Sequence, residues 1–224
     1  GVNITYFGNM DASWEVATKS DLGLEINFLD HFKLQTDLFY EKRSDIWTEL
    51  AFVPDMFGYS QKPYGNVGEM ENKGMDGFLE YSKQLNKDWS INLKGTYTFA
   101  QNKVLATGDE KPKEAYQSKI GQPLNRMFGY VSEGLFLDEA EILNSPDQSS
   151  LGIAKPGDMK FKDVNGDGKI DPNDRIYMGY SNIPEITYGL GISLTYKGFD
   201  FSMLFQGTDR VSFFATPTPF PEAY

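Results

Sequence analysis

The sequence predicts an all-β fold, an antiparallel sheet of the kind that forms the wall of a transmembrane β-barrel. Three observations predict it. Six stretches alternate apolar and polar residues with a period of two. The side opposite each apolar side is hydrophilic, carrying Lys33, Gln35, Asp37, Glu41, Asn92, Lys94, Asp200 and Gln206. The connections are lopsided: tight turns follow the first, third and fifth stretches, and long segments follow the second and fourth.

In chain order, the first stretch places Leu22, Leu24, Ile26 and Phe28 on one side and turns at Leu29-Asp30-His31. The second continues with Phe32, Leu34, Thr36, Leu38 and Tyr40. Met75, Gly77, Leu79 and Tyr81 form the third, which turns at QLNKD into Ile91, Leu93, Gly95, Tyr97 and Phe99. The clearest alternation comes last: Tyr188, Leu190, Ile192, Leu194 and Tyr196, a turn at Lys197-Gly198, then Phe199, Phe201, Met203 and Phe205. Several patterns run for about ten residues, as a strand tilted across a bilayer requires, where soluble strands average five or six. Tyr40, Tyr81, Tyr188 and Tyr196 fall near strand ends, as do Trp14, Trp47 and Trp89, the positions of an interfacial aromatic girdle.

Composition agrees with a β-rich chain. Among 224 residues there are 17 Phe, 13 Tyr and 22 Gly, an abundance of wide side chains that need broad apolar surroundings. A net charge of −11 argues against a nucleic-acid partner, because phosphate binding draws on clustered Lys and Arg. Without Cys there is neither disulfide framework nor thiolate metal site. No run approaches the roughly eighteen apolar residues of a membrane helix, which leaves a membrane barrel open. The opening GVNITYFGNM carries neither initiator Met nor a secretory signal pattern, so the chain is expected to be a fragment or a processed form.

Between about residues 101 and 185 the alternation lapses, which predicts a long loop with one short helix capped by Asp138 and answered by Glu141. Inside it, DVNGDGKIDPND has the spacing of a calcium-binding loop. Oxygen ligands would come from Asp163, Asn165 and Asp167, the carbonyl of Lys169, Asp171 directly or through water, and Asp174, with Gly168 allowing the bend and Ile170 anchoring the loop. Two consecutive reverse turns with solvated carboxylates explain the same residues without a metal. Flanking helices are not expected, since Pro156 and Gly157 precede the loop and β-branched and aromatic residues follow it.

The stretches WEVATKSDLGLEINFLD, FYEKRSDIW, GEMENKGMDGFLEY, GQPLNRMFGYVSEGLF and PGDMKFKDVNGDGKIDPNDRIYMGYSNIPEITYGLGISLTYKGFDFSMLFQG resemble the C-terminal barrel region of SusC/RagA-type TonB-linked outer-membrane transporters. The resemblance spans nearly the whole chain. It implies that the six strands belong to a 22-stranded barrel whose plug is absent from this chain. It also implies import of oligosaccharides or peptides with energy from TonB, a SusD-like surface lipoprotein as partner, and outer-membrane lipid around the barrel. Residues 1–224 then lie within the barrel domain, with residues 101–185 as an external loop; the Ca2+ expected from the spacing of residues 163–174 would be a structural cofactor there.

Two other function classes compete. Catalysis has little to draw on: the single His, His31, falls in a tight turn, and Glu139 and Glu141 on the loop helix read as solvated acids. A secreted calcium-dependent β-sandwich that binds carbohydrate on exposed Trp and Tyr is the stronger rival. The residues do not select a substrate. Loop aromatics Phe52, Phe57, Tyr59, Tyr64 and Tyr130 are candidates for ligand contact or for packing against a partner.

Overall fold

The computed structural model describes residues 9–53 and 62–213; Phe57 and Tyr59 lie outside them. Ten strands and one α-helix, with three short 3-10 turns, follow in chain order among the described residues. They are β1 (Val16–Phe28), β2 (Phe32–Glu49), β3 (Tyr64–Gln84), β4 (Trp89–Ala106), β5 (Arg126–Gly129), β6 (Ser132–Leu135), α1 (Glu139–Asn144), β7 (Met159–Phe161), β8 (Ile176–Ser181), β9 (Ile186–Tyr196) and β10 (Phe199–Asp209). Six of the strands make one antiparallel sheet in the order β1-β2-β3-β4-β9-β10. These are the six alternating stretches of the sequence, each paired with its neighbour in the chain.

The register explains why alternation was so visible. Phe28 pairs with Phe32, Phe32 with Tyr81, Tyr81 with Leu93, Leu93 with Ile192 and Ile192 with Met203, so one apolar row crosses all six strands. The next row on that face runs Ile26, Leu34, Leu79, Gly95, Leu190 and Phe205. A slip of one residue in any strand would put its apolar set on the other side. Aromatics cluster at the short-turn end of this band. Phe28 stacks on Phe32 at 5.1 Å, Phe32 tilts onto Tyr81 at 4.8 Å, and Trp89 meets Tyr196 at 4.3 Å. Tyr40 lies toward the opposite end, where the outward positions turn into Lys42, Glu71, Lys73 and Lys103.

The apolar face of the sheet is not covered among the described residues. Only Val104, Phe136 and Ile170 are buried apolar side chains among the described residues, and Leu24, Leu79, Leu190 and Phe201 all stay substantially exposed. A β-sandwich would need a second sheet against this face, and none lies there among the described residues. The sandwich alternative fails on that point. Both outer strands, β1 and β10, keep one edge without a partner strand among the described residues, as a section of a larger sheet must.

β2, β3 and β4 run well past their amphipathic stretches, to Glu49, from Tyr64 and to Ala106. The reason is local: EKRSDIWTE and YGNVGEMENKG are polar on both faces, so pairing continues after the period-two signature has ended. Irregular register marks the crossing, between Arg43, Ile46 and Trp47 and between Glu69 and Met70.

Residues 107–185 leave the sheet between β4 and β9. Within them β5 pairs with β8 and β6 with β7, two nested antiparallel ribbons of three to six residues per strand. The expected helix is α1, and the Asp138 side chain accepts the backbone N–H of Glu141 at 2.8 Å. Glu141 in turn accepts the N–H of Leu137, one residue before the cap, also at 2.8 Å.

Candidate functional site: the polar face and the excursion packed on it

The second face of the sheet is a continuous lattice of charge and hydrogen bonds. Lys33, Glu80 and Lys94 sit side by side across β2, β3 and β4. Lys94 stands over the ring of Phe78 at 4.2 Å, and Asn92 donates to Glu80 at 2.5 Å. Farther from the short turns, Glu41 receives Arg43 at 2.7 Å and Lys19 at 3.3 Å, and Arg43 also reaches Glu15 at 3.0 Å. Period two puts all these groups on one side, so the pattern that makes the other face greasy makes this one wet.

Two cavities form, one where the excursion meets the sheet and one within the excursion beside Phe52. The first, about 310 Å³, lies between Glu41, Arg43, Asn72 and Asn102 of the polar face and Pro123, Ser181, Ile183 and Pro184 of the excursion. Ser181 is fully buried, and its hydroxyl donates to the carbonyl of Leu124. Beside it the buried Glu185 accepts from Gln101 at 3.2 Å; its other oxygen has no hydrogen bond and only the longer ion pair to Arg210 at 3.6 Å. The second cavity, about 500 Å³, is walled by Phe52, Phe128 and Tyr177, with Asp109, Lys111 and Lys119 at its border. Arg175 lies over Phe128 at 4.6 Å and Lys119 pairs with Asp109 at 2.7 Å. Burial pushes the Tyr177 phenol above its ordinary pKa. Aromatic walls with charged borders can stack and hydrogen-bond a polar, extended solute.

Of the loop aromatics considered from sequence, Phe52 therefore lines a cavity. Tyr64 instead stacks on Trp47 at 6.1 Å, and Tyr130 packs against Phe161 at 5.4 Å. His31 occupies the β1–β2 turn edge-on to Tyr81, 6.1 Å away.

The loop from Asp163 to Asp174 is compact and uses its side chains on its own backbone. Asp163 accepts N–H groups from Gly166 at 2.7 Å and Gly168 at 2.8 Å, Asn165 accepts from Asp167, and Asp167 accepts from Lys169. The N–H of Gly168, followed by that of Gly166, holds the Asp163 carboxyl below its ordinary pKa against the opposing effect of burial. Asp171 caps the short 3-10 turn Pro172–Asp174 through the N–H of Asn173. Asp174 is fully buried and accepts from Val164 at 2.9 Å and Asp171 at 2.8 Å. Ile170 is fully buried too, its N–H bound to the Asp147 carbonyl. The described residues contain no group of three or more His, Cys, Asp or Glu side chains placed to hold a metal ion.

Sequence reasoning missed the residues that clamp this loop. The Tyr116 hydroxyl donates to the Asn173 carbonyl at 2.6 Å, and the Gln117 amide reaches the carbonyls of Pro172, Asn173 and Arg175. More than fifty positions separate the partners, and no local pattern marks such contacts.

A sheet with one unbroken apolar face, one charged face, tight turns at one end and long connections at the other defines a section of a membrane-barrel wall. Comparison with known proteins gives the family. Residues 1–218 match the family described as "TonB dependent receptor-like, beta-barrel", and the chain belongs to it. TonB-dependent receptor P3 of Formosa agariphila is 26% identical over 223 residues, covering 93% of this chain and 22% of that protein. TonB-dependent receptor SusC of Bacteroides thetaiotaomicron is 25% identical over 206 residues, 87% of this chain and 19% of its own length. Among solved structures, the RagAB peptide importer in its "open-open" state aligns over 94% of this chain and 22% of that chain, with a TM-score of 0.70 and 18% identity, and shows the same fold. The chain thus spans about one fifth of the length of these relatives. The family is one of outer-membrane receptors and transporters, not of enzymes.

Proposed function

We propose that this chain is part of the wall of an outer-membrane nutrient importer that takes up oligosaccharides or peptides with energy from TonB. The observation that carries this reading is the pair of faces: six strands in register with hydrocarbon-compatible side chains outward and an ion-paired, hydrogen-bonding surface inward. Turns 29–31, 85–88 and 197–198 lie on the periplasmic side, and the far ends of β2 and β3 and residues 107–185 lie outside the cell. The charged inner face, the cavity beneath the excursion and the one within it are where a polar solute passes or pauses, and a SusD-like lipoprotein closes over the excursion. One structural neighbour is a peptide importer, which is in keeping with peptides as one of the two solute classes.

The test uses the full-length protein in its native membrane. Deleting its gene abolishes growth on either oligopeptides or oligosaccharides as the limiting nutrient, and the tagged protein extracts only with detergent together with a surface lipoprotein. Release into the soluble fraction, or unaltered growth on both nutrients, contradicts the proposal.

Within the same reading the loop from Asp163 to Asp174 takes calcium as a brace for the external excursion. The spacing of its oxygens and the Asp163–Gly168 bond support this, and binding would draw the side chains of Asp167 and Asp171 inward. Millimolar calcium, the range of extracellular modules at about 10⁻⁴–10⁻³ M, then slows hydrogen exchange of the loop, and Asp167→Ala removes the effect. Equal exchange with calcium and with chelator refutes the brace.

A further inference from the structure

The outward face carries a depression that the fold itself does not require. Gly95, midway along β4, faces outward between Leu79 and Leu190 in its row. Its φ is not positive, and an added Cβ would meet only the Leu79 carbonyl oxygen, 4.0 Å away. Gly77 differs, because a Cβ there would collide with the Gln35 carbonyl, so close strand approach accounts for it. A strand glycine with free space above it forfeits packing and marks a place where something else comes near.

What Gly95 leaves is a groove. A hollow of about 780 Å³ runs over it between Leu79, Leu93 and Leu190 and opens toward Tyr81 and Lys83 at the short-turn end. A second hollow, about 360 Å³, shares Leu79 and Gly95 and carries the groove on past Met75 to Tyr97. From Lys83 to Met75 the path follows β3 for about 26 Å at roughly 3.3 Å per residue. At a strand tilt of about 45° that is a depth of about 18 Å, close to one leaflet of a hydrocarbon core about 30 Å thick. Lys83 forms no ion pair or hydrogen bond through its ammonium among the described residues, so an uncompensated cation stands at the head of a one-leaflet apolar channel.

We propose that this groove binds one membrane phospholipid, with a tail lying over Gly95 and the phosphate against Lys83. The proposal rests on the reading of this face as lipid-facing and adds to it a specific site with a charge preference. A tail in the groove contacts apolar walls on both sides, which flat stretches of the same face do not offer, and the cation selects a headgroup of net negative charge.

Native mass spectrometry of the full-length protein, exchanged into detergent and offered dioleoyl phosphatidylglycerol or dioleoyl phosphatidylcholine, tests it. The unmodified protein retains one phospholipid and prefers phosphatidylglycerol. Gly95→Leu fills the groove and lowers retention by about fivefold or more, the equivalent of one or two methylene contacts. Lys83→Gln disturbs no packing and brings the preference close to unity. Heat-dependent gel migration, recorded for each variant, reports barrel integrity separately. If that migration shift is missing in the unmodified protein, the wall reading itself falls. If it is present and retention is equal in all three proteins, or absent from all, the lipid is annular only and the site is refuted.

Discussion

The six-stranded sheet and the excursion at residues 107–185 are held together in different ways. The sheet has an almost complete backbone ladder and scarcely a buried side chain, and its two faces await two different solvents. The excursion has short, irregular pairing, yet it contains Phe136, Ile170 and Asp174, three of the most buried residues described. It is fastened by side-chain bonds onto backbone: Asp138 at α1, Asp174 beneath the acidic loop, and Tyr116 and Gln117 across it. Order in the sheet thus comes from its surroundings, and order in the excursion from its own interior.

Charge placement breaks the comparison most strongly. Leu93→Arg, near the middle of the apolar band, is expected to destabilise the full-length barrel by about 2–4 kcal/mol in bilayers, whereas Thr96→Arg on the polar face costs little. Urea titration in lipid vesicles measures both, and equal costs would deny that the faces differ. Asp174→Ala comes next. It leaves the half-buried N–H groups of Val164 and Asp171 without their carboxylate acceptor, at about 1 kcal/mol or somewhat more, and the loss stays in the excursion. Hydrogen exchange should quicken at residues 163–175 and remain unchanged in β2, β3 and β4; quickening in both regions would join what the structure separates.

The smallest effect is one of pH. The Glu141 carboxyl is held below its ordinary value first by the Leu137 N–H and then by Lys160, Asp147 first by the Ser149 N–H, and Asp163 first by the Gly168 N–H. Each binds a proton less readily folded than unfolded. Its contribution is therefore complete above the ordinary carboxylate range and fades as pH falls through the lower folded values. Protection in the excursion should hold from pH 7 to about 5 and decline below about 4, with the sheet's ladder unaffected. Decline beginning near neutrality would point to another group.

Legibility in the sequence followed the same division. The amphipathic centres of all six strands were readable because a strand between two solvents prints its period directly into residue type. The extensions of β2, β3 and β4 were not, since a ribbon wet on both sides has no period. β5 to β8 escaped because three to six residues cannot show alternation and their partners lie far along the chain. Helix α1 was legible through Asp138, a local signal. At the acidic loop the spacing marked a tight turn of Asp and Asn side chains, but the bonds from Tyr116 and Gln117 to the carbonyls around Asp174 come from more than fifty positions away, which spacing does not reveal.

One measurement addresses the central claim directly. This stretch has no Cys, so single cysteines at Ile192 and Leu194 and at Ser193 and Thr195 of β9 can carry spin labels in the full-length protein reconstituted in bilayers. Ile192 and Leu194 should be relaxed by oxygen, which concentrates in hydrocarbon, and Ser193 and Thr195 by a water-soluble nickel complex. If all four positions answer to the same relaxant, or none answers to either, the apolar face does not meet lipid and the barrel-wall account is wrong.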